Sequence, residues 1–302
     1  MYDLAIIGAG PAGLSASVYA SRYGINNVII GEPGGLTTKT HEIGNWLGTE
    51  KITGFEFAQK AEAHARSYGA PLEYTLVKDL KKEEGIFKLA LENGKEVEAK
   101  KILVATGTAH RHLGIPGEKE LSGKGVSYCA TCDGFFYRGK TVAIVGGNDS
   151  AAGAAVYMGD IAEKVYLIYR KDNLRCESYW REAIAKNNKI EVVYNTNILE
   201  IKGSEKVEEV VLDNNYQDVD ILKVDGVFIE IGFSPTTELV VSLGAEIDEE
   251  GYIKINPEGK TNIEGIWAAG DITNGSNKFK QIVTAAAEGA IAAHSIQESL
   301  KV

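Results

Sequence analysis

The sequence has few cysteines, no excess of positive charge and no long apolar run, and each shortage excludes a class of protein. Three cysteines among 302 residues are too few for a secreted scaffold held together by disulfides. Acidic residues outnumber basic ones by 42 to 32, which argues against general binding to nucleic acids or to anionic membranes. No apolar run approaches the roughly 20 residues of a membrane span. Because a strand pattern begins directly after Met1 with no signal peptide, we expect a cytoplasmic protein.

The length and the glycine content indicate what kind of protein remains. A chain of 302 residues can form two domains of ordinary size, and 44% hydrophobic with 25% charged residues is typical of a globular protein. The 34 glycines cluster after apolar runs, as turns that bind nucleotides require.

Two cysteines stand three positions apart in the segment Cys129-Ala130-Thr131-Cys132-Asp133. This spacing places both sulfurs on one turn at a helix start, where they can form a reducible disulfide. A pair of this kind in a reducing compartment is more often redox-active or metal-binding than structural. A zinc site needs two more soft ligands, and neither Cys176 nor any of the five histidines has the spacing to complete one. The pattern favours a redox dithiol and no metal site, with zinc or a chance spacing as the alternative.

The first apolar run leads into a glycine-rich turn. Leu4–Ile7 is typical of a buried parallel strand, and Leu14–Tyr23 of a helix. Between them Gly8, Gly10, Pro11, Ala12 and Gly13 belong to a G-x-G-x-x-G turn in the strand–turn–helix context that dinucleotide binding requires. Glu32 follows the next strand, 24 positions after Gly8, and is the candidate acid for a ribose hydroxyl. The alternative for Glu32 is a solvated carboxylate in a turn.

The same pattern recurs after the dithiol. A buried strand, Thr141–Val145, precedes a turn made of Gly146, Gly147, Asn148, Asp149 and Ser150, and a helix is expected from Ala152 to Met158. The next strand, Lys164–Ile168, is followed by a cationic cluster of Arg170, Lys171 and Arg175. Cations at this position suit a 2′-phosphate, which favours NADP over NAD. A basic surface turn is the alternative.

Several further elements follow from local patterns. We expect a hairpin around Asn93-Gly94, a separate buried strand from Lys101 to Val104, and a closing helix from Thr284 to Leu300. Cys176 is expected on a helix after Arg175, as a buried or half-buried bystander. His110 and His112 are expected to be exposed linker residues.

Taken in order, the motifs resemble those of the low-molecular-weight thioredoxin reductases over essentially the whole chain. The resemblance rests on the turns at Gly8 and Gly146, on Ala105-Thr106-Gly107, on the dithiol with Gly134-Phe135-Phe136 after it, and on Ala269-Gly270-Asp271-Ile272. It implies an α/β fold with two Rossmann-like domains. A discontinuous FAD domain would comprise residues 1–113 and 237–302, and an inserted NAD(P)H-type domain, residues 114–236, would carry the dithiol. Members of the family are homodimers whose domains rotate between two states.

The resemblance also implies a function and a set of site residues. Electrons would pass from NADPH through FAD to the Cys129–Cys132 disulfide and on to thioredoxin. Cys132 would be the sulfur nearer the flavin, and Asp133 the acid that manages the thiol protons. The implied FAD contacts, besides the first turn and Glu32, are Gly35, Leu36, Thr37, Asn45, Ala105, Thr106, Gly107, Gly270, Asp271, Lys280, Gln281 and Ile282. The implied NADP contacts are Gly146, Gly147, Asn148, Asp149, Ser150, Arg170, Lys171 and Arg175.

Departures from the family pattern keep other functions open. Leu36 stands where the family commonly has Gln, and Lys280-Gln281-Ile282 replaces Arg-Gln-Ala. Asn148 replaces a glycine; asparagine tolerates a left-handed backbone better than most residues, but its side chain is expected to crowd a pyrophosphate. One alternative is therefore a disulfide reductase whose donor is ferredoxin or a reduced deazaflavin. Two others are a dithiol oxidase that passes electrons to oxygen, and a redox-sensing or partner-binding protein without enzymatic activity.

Overall fold

The computed structural model describes residues 1–40 and 43–301. The described residues form strands and helices in the following order along the chain. The strands are β1 (Tyr2–Ile7), β2 (Asn27–Ile30), β3 (Leu72–Glu73), β4 (Val77–Glu83), β5 (Ile86–Leu91), β6 (Glu96–Val104), β7 (Thr108–His110), β8 (Val126–Ser127), β9 (Thr141–Val145), β10 (Lys164–Ile168), β11 (Ile190–Val193), β12 (Ile198–Lys202), β13 (Glu209–Tyr216), β14 (Val219–Lys223), β15 (Gly226–Ile229), β16 (Phe233–Pro235) and β17 (Ile266–Ala268). The α-helices are α1 (Pro11–Arg22), α2 (Gly54–Ser67), α3 (Ala130–Asp133), α4 (Asp149–Gly159), α5 (Ser178–Lys186), α6 (Glu238–Val241) and α7 (Ile282–Leu300). Among these helices none has the length and apolarity to cross a membrane.

The chain divides into two compact units. Unit 1 comprises Met1–Ala109 and Ser234–Val302, and unit 2 comprises His110–Phe233. The strands that carry the chain across the two boundaries, β7 and β16, pair with each other.

Unit 1 is built on a seven-stranded sheet whose order is β3-β2-β1-β6-β5-β4, with β17 also paired to β6. The strands β3, β2, β1, β6 and β17 are parallel, whereas β5 and β4 join as antiparallel partners. Apolar side chains on one face pack against α1 and α7, and those on the other face form a second buried cluster that includes Phe87 and Ile102. The first glycine-rich turn therefore leaves the sheet at its centre, from the end of β1.

The strand β6 differs from the sequence-based expectation. The hairpin arm and the buried strand at Lys101–Val104 were expected to be separate, but they form one nine-residue strand. Its first half alternates exposed and buried residues and pairs with β5, whereas its second half is buried and pairs with β17. The expectation of two separate strands was wrong because β6 changes its neighbour on one side from β5 to β17 halfway along, and its burial pattern changes at the same point.

Unit 2 repeats this architecture around its own sheet. The five strands lie in the order β11-β10-β9-β15-β8, and every pair is parallel. A separate three-stranded antiparallel sheet consists of β12, β13 and β14. The second glycine-rich turn leaves the centre of the parallel sheet at the end of β9, as the first turn leaves β1. The expected α/β class with parallel sheets is confirmed.

The first glycine-rich turn is fixed in place by helices that pack at backbone distance. A Cβ on Gly289 of α7 would lie 2.0 Å from the carbonyl oxygen of Ala12 in α1. A Cβ on Gly13 would lie 1.9 Å from the carbonyl oxygen of Gly8. Both glycines are therefore required for α1 to sit against the turn on one side and against α7 on the other.

We predict that Gly289→Ala destabilises unit 1 by roughly 1–3 kcal/mol, because the added methyl group overlaps a backbone atom that cannot move freely. The matched control is Gly153→Ala in α4, where the new Cβ would lie 3.5 Å from Trp180, an ordinary contact distance. That change should stabilise unit 2 by roughly 0.5–1 kcal/mol through helix propensity. Thermal unfolding of both variants checks the prediction, and an equal effect of the two alanines would contradict it.

Candidate functional site

The two sulfurs of the Cys129–Cys132 pair form a disulfide at the start of α3. The Cα atoms of the two cysteines lie 5.3 Å apart, and the amide of Cys132 donates to Sγ of Cys129 at 3.1 Å. Cys129 is the residue that caps the helix, so the pair lies on a single turn, as its spacing predicts. Cys132 is exposed and Cys129 is half-buried. The disulfide is thus accessible to a second molecule from the side of Cys132.

Sequence reasoning missed Ser127, which ties the dithiol segment to Asp133. The amide of Cys129 donates to Oγ of Ser127 at 3.0 Å, and Ser127 donates to Oδ2 of Asp133 at 2.7 Å. Ser127 lies at the end of β8 and is only 5% exposed. The sole signal for it in the sequence is a small polar residue that ends a short apolar run. Through it, the carboxylate after the second cysteine is held in a fixed position relative to the first.

Close packing holds the dithiol segment against the rest of unit 2. A Cβ on Gly134 would lie 2.6 Å from Sδ of Met158 in α4. A Cβ on Gly226 of β15 would lie 2.3 Å from the ring of Tyr137. The two contacts fix α3 and the 3₁₀ turn after it, Gly134–Tyr137, between α4 and the sheet.

The second glycine-rich turn begins at the end of β9. Gly146 has a φ of +147°, and a Cβ there would lie 2.3 Å from the carbonyl oxygen of Glu230. The ring of Tyr169 packs against Gly147, where a Cβ would lie 2.4 Å from it. Both glycines are required by the neighbours that surround the turn, so the turn is as constrained as a phosphate-binding turn must be.

Asn148 has a conformation different from the one considered from the sequence. Its φ is −94°, which is extended rather than left-handed, and its Oδ1 accepts the amide of Ala151 at 3.0 Å. The side chain therefore folds back to cap α4. It occupies one of the helix amides that an anion would otherwise use. The carboxylate of Asp149, the first residue of α4, accepts the amide of Glu177 at 2.8 Å, and Ser150 is the second residue of the helix.

The cationic cluster lies beside this turn. The amide of Arg175 donates to the carbonyl oxygen of Gly147 at 2.7 Å, which anchors the loop after β10. Arg170, Lys171 and Arg175 are exposed, and none belongs to an ion pair that the described residues form. Tyr169 is 5% exposed, and its hydroxyl has no hydrogen-bond partner in the described chain. This surface is suited to an anionic ligand.

Two expectations about bystander residues need correction. Cys176 is buried as expected, but it lies in a bend before α5 and not on a helix, because the helix begins only at Ser178. Burial raises the pKa of its thiol, which makes it unreactive.

His112 is exposed as expected, whereas His110 is half-buried, with its ring 4.8 Å from that of Phe233. The linker composition did not reveal that this segment is paired as β7.

The first glycine-rich turn leaves open space where a ligand would approach. Gly8 has a φ of +112°, and a Cβ there would lie 2.2 Å from the carbonyl oxygen of Ala105. A Cβ on Gly10 would meet no atom within 4 Å. Gly10 caps α1 without a side-chain hydrogen bond, and Pro11 and Ala12 begin the helix, so its first amides face that space. Glu32 is exposed after β2, and Thr106 and Gly107 follow Ala105 in the adjoining turn.

Asp271 lies beside this turn on a support that the sequence did not suggest. The carboxylate of Glu288 in α7 accepts the amide of Gly270 and the hydroxyl of Thr273, both at 2.8 Å. The side chain of Asp271 is half-buried with no hydrogen-bond donor among the described residues. Burial raises its pKa, and the nearby Lys280 opposes the rise. A half-buried carboxylate with unused acceptor positions suits a ligand that carries hydroxyl groups.

The remaining candidate residues for binding FAD lie at two places in unit 1, which are the contact between Asn45 and Gln281 and the 3₁₀ turn that begins at Gly35. The amide of Asn45 donates to Oε1 of Gln281 at 2.9 Å, which joins residues 236 positions apart. Lys280 donates to the carbonyl oxygen of Thr273, and its ammonium lies 4.5 Å from the ring centroid of Tyr252. Burial lowers the pKa of Lys280. Ile282 begins α7, and Gly35, Leu36 and Thr37 form part of a 3₁₀ turn, Gly35–Lys39.

In the portions 1–40 and 43–301, no group of three or more histidine, cysteine, aspartate or glutamate residues could hold a metal ion. His41, one of the five histidines considered from the sequence, lies outside the described residues.

The matching family model, the relatives and the solved structures agree on the kind of protein that this chain resembles. A family model described as pyridine nucleotide-disulphide oxidoreductase matches residues 2–289. The thioredoxin reductase of Bacillus subtilis (strain 168) is 41% identical over 301 residues, which cover 98% of this chain and 94% of that protein. The crystal structure of Lactococcus lactis thioredoxin reductase has a TM-score of 0.93 and 36% identity, with complete coverage of both chains. The crystal structure of T. acidophilum thioredoxin reductase has a TM-score of 0.92 and 37% identity, and covers 100% of this chain and 99% of that one.

We predict that Ser127→Ala lowers the free energy of unfolding of unit 2 by about 1–2 kcal/mol. The change removes a buried hydrogen bond to a carboxylate and leaves the amide of Cys129 without its acceptor. Denaturant unfolding measures the effect. Ser122→Ala, an exposed serine in the preceding segment, is the control and should change stability by less than about 0.5 kcal/mol. If the two variants are equally stable, the hydrogen bonds of Ser127 do not contribute to the free energy of unfolding of unit 2.

Proposed function

The chain belongs to the pyridine nucleotide-disulphide oxidoreductase family, and on that premise we propose that it is a thioredoxin reductase. It would use FAD and NADPH to reduce the Cys129–Cys132 disulfide, and the resulting dithiol would reduce the disulfide of a thioredoxin-like protein. The observation that carries the proposal is this disulfide at a helix start, with Asp133 held beside it through Ser127. The same unit contains the second glycine-rich turn.

FAD fits the first turn of unit 1. The open space at Gly10 and the free amides of α1 suit a pyrophosphate, and Asp271 offers its unused acceptors to ribityl hydroxyls. Glu32 would accept from the ribose. Lys280 and the Asn45–Gln281 pair would lie along the isoalloxazine, as the resemblance implies. When bound, FAD would supply the redox chemistry by which a hydride from NADPH, together with one proton, reduces the disulfide to two thiols.

The pyridine nucleotide would bind at the second turn of unit 2. The cations Arg170, Lys171 and Arg175, which form no ion pair among the described residues, favour the extra phosphate of NADPH over the free hydroxyl of NADH. The helix amides after Asn148 remain for the pyrophosphate, except the amide of Ala151, which that side chain occupies.

We predict that the double variant Arg170→Ala/Lys171→Ala raises the KM for NADPH about tenfold to a hundredfold, the value of one or two hydrogen bonds to a charged group. Rates with NADH should not change. The control is Lys186→Ala, an exposed lysine on α5. Anaerobic flavin reduction by each nucleotide measures both rates. An equal loss with NADPH and NADH would show that the two cations do not contact the 2′-phosphate.

The dithiol itself would carry out thiol–disulfide exchange. The thiolate of one cysteine attacks the partner's disulfide, a mixed disulfide forms, and the second cysteine displaces the reduced partner while its own disulfide closes again. Asp133 would take and return the proton that a thiol loses. Because Ser127 donates to one oxygen of the carboxylate, the other oxygen would be the one that takes the proton of a thiol.

The function is tested by Cys129→Ser and Cys132→Ser, measured as NADPH-dependent reduction of a thioredoxin disulfide. We expect each variant to lose at least about a hundredfold in turnover, because neither serine can form the disulfide that receives the electrons. Cys176→Ala is the control and should retain turnover, since that thiol is buried and unreactive. Activity that survived in either serine variant would overturn the proposal.

A second candidate differs only in its electron donor. Asn148 closes part of the helix terminus that a pyrophosphate would use, and this favours ferredoxin or a reduced deazaflavin. Flavin bleaching by those donors, without bleaching by NADPH, would select it. If Asn148 alone is responsible, Asn148→Gly should restore bleaching by NADPH.

We further propose a homodimer. Tyr19 on α1, Tyr23 directly after that helix and Ile291 on α7 are exposed and leave apolar surface on the outside of unit 1. Light scattering after gel filtration measures the mass of the particle, and a monomer at micromolar concentration would contradict the assembly.

A further inference from the structure

Three consecutive residues of unit 1, Ser276–Lys278, form a left-handed turn. Their φ values are +48°, +52° and +56° in chain order. No glycine is among them, and the left-handed region costs free energy for every other residue type, although less for asparagine than for serine or lysine. Such a run persists only where surrounding contacts hold the backbone in place. The contacts of this turn therefore indicate what keeps it in its conformation.

The ammonium of Lys278 joins the left-handed turn to a second turn, residues 248–252. Its Nζ lies 2.9 Å from Oδ2 of Asp248 and 2.8 Å from Oε2 of Glu250. The same ammonium lies 5.3 Å from the ring centroid of Tyr252. The other carboxylate oxygen of Asp248 accepts the amides of Glu250 and Tyr252, at 2.9 Å and 3.0 Å. Lys278 thus binds a carboxylate that its own turn already fixes.

The burial of Asp248 distinguishes this contact from an ordinary surface ion pair. Exposed pairs contribute little to stability, because solvent screens them and two mobile side chains must be ordered. The side chain of Asp248 is only 16% exposed and that of Lys278 38%, and the two amides have ordered Asp248 already. Glu250, with 60% exposure, is the weaker partner. The pair of Lys278 with Asp248 therefore contributes most of the restraint on the left-handed turn.

The residues that follow the left-handed turn are candidates for binding FAD. The ammonium of Lys280 lies 4.5 Å from the ring centroid of Tyr252 and donates to the carbonyl oxygen of Thr273. Gln281 caps α7 and accepts from the side-chain amide of Asn45. Lys278 and Lys280 thus lie against one aromatic ring, two positions apart. A change in the backbone of the turn would move Lys280 and Gln281 with it.

We propose that Lys278 is a positioning residue, which holds the left-handed turn in the conformation that lets Lys280 and Gln281 bind FAD. Without its ion pairs the turn relaxes towards backbone conformations of lower energy, and the fraction of protein that is competent to bind FAD falls. The apparent dissociation constant for FAD rises by the inverse of that fraction. The inference rests on the proposed function, since it takes FAD as the cofactor of unit 1.

The test is the release of FAD from the purified full-length holoprotein. FAD that leaves the protein on dilution becomes more fluorescent, and a dilution series gives its dissociation constant. Lys278→Gln removes the charge, whereas Lys278→Arg keeps a cation that can reach both carboxylates. The matched control is Lys260→Gln, because Lys260 also lies in unit 1, is 45% exposed and pairs with Glu258 at 2.6 Å.

We expect Lys278→Gln to raise the dissociation constant for FAD roughly threefold to tenfold, as the competent fraction falls. Lys278→Arg and Lys260→Gln should stay within roughly twofold of the wild type. Asp248→Asn keeps the acceptor for the two amides but loses the charge, so it should weaken binding in the wild type and add little to Lys278→Gln. An unchanged dissociation constant in Lys278→Gln, or additive effects of the two substitutions, would overturn the inference.

Cleavage by chymotrypsin after Phe279 provides a second measurement that does not depend on fluorescence. Phe279 directly follows the left-handed turn and is 61% exposed. We expect chymotrypsin to cut the Lys278→Gln holoprotein at this bond roughly threefold to tenfold faster than the wild type or Lys260→Gln, because cleavage follows the population of the opened turn. Mass spectrometry identifies the cut. Equal rates would contradict the inference, and so would faster cleavage with unchanged affinity for FAD.

The wild-type holoprotein separates the two proposals. If the purified wild type contains no FAD and takes none up, the proposed function fails together with the inference. If the wild type binds FAD and Lys278→Gln binds it equally well, only the inference fails.

Discussion

The structure depends on glycines whose backbone lies so close to another backbone atom that a Cβ would not fit. At the first turn, Gly13 meets the carbonyl of Gly8 and Gly8 meets that of Ala105. At the second turn, Gly146 meets the carbonyl of Glu230. The contact at Gly13 brings the start of α1 against the end of β1, and the contacts at Gly8 and Gly146 bring each turn against the end of a neighbouring strand, so that the helix amides face the space beyond the sheet. Any side chain larger than hydrogen would push the helix away and close that space.

Parallel pairing explains why the functional groups of unit 2 lie near one another. The strands β8, β9, β10 and β15 all run in the same direction, so their carboxyl ends meet at one edge of the sheet. The dithiol segment follows β8 and the glycine turn follows β9. Tyr169 and the cationic loop follow β10, and Glu230 follows β15. A redox centre and a nucleotide turn therefore share an edge, although Cys129 and Glu230 lie 101 positions apart in the chain.

The ordered sequence motifs predicted more of the fold and of the site than did the composition and periodicity of single segments. The α/β class, the two glycine-rich turns and the resemblance to the thioredoxin reductases are confirmed by the parallel sheets and by the relatives. The assumptions about β6, about the helix at Cys176 and about the exposure of His110 were wrong. For β6 and His110 the deciding contact is with a strand or a ring distant in sequence, and beside Cys176 the amides of Arg175 and Glu177 bond to the turn after β9. Such partners leave no periodicity in the segment itself.

The sequence alone determined where the sulfurs, the glycine turns and the charged clusters occur, because these motifs depend on spacings of a few residues and on the chemistry of single side chains. Only the tertiary structure decided what surrounds them. It placed Ser127 between Cys129 and Asp133, Glu288 beneath Gly270, and the carbonyl oxygen of Glu230 against Gly146. Serine and glutamate are common residues with no distinguishing spacing. Their roles arise from burial and from hydrogen bonds to backbone groups that folding brings within 3 Å, and these are properties of the packed chain rather than of its residue order.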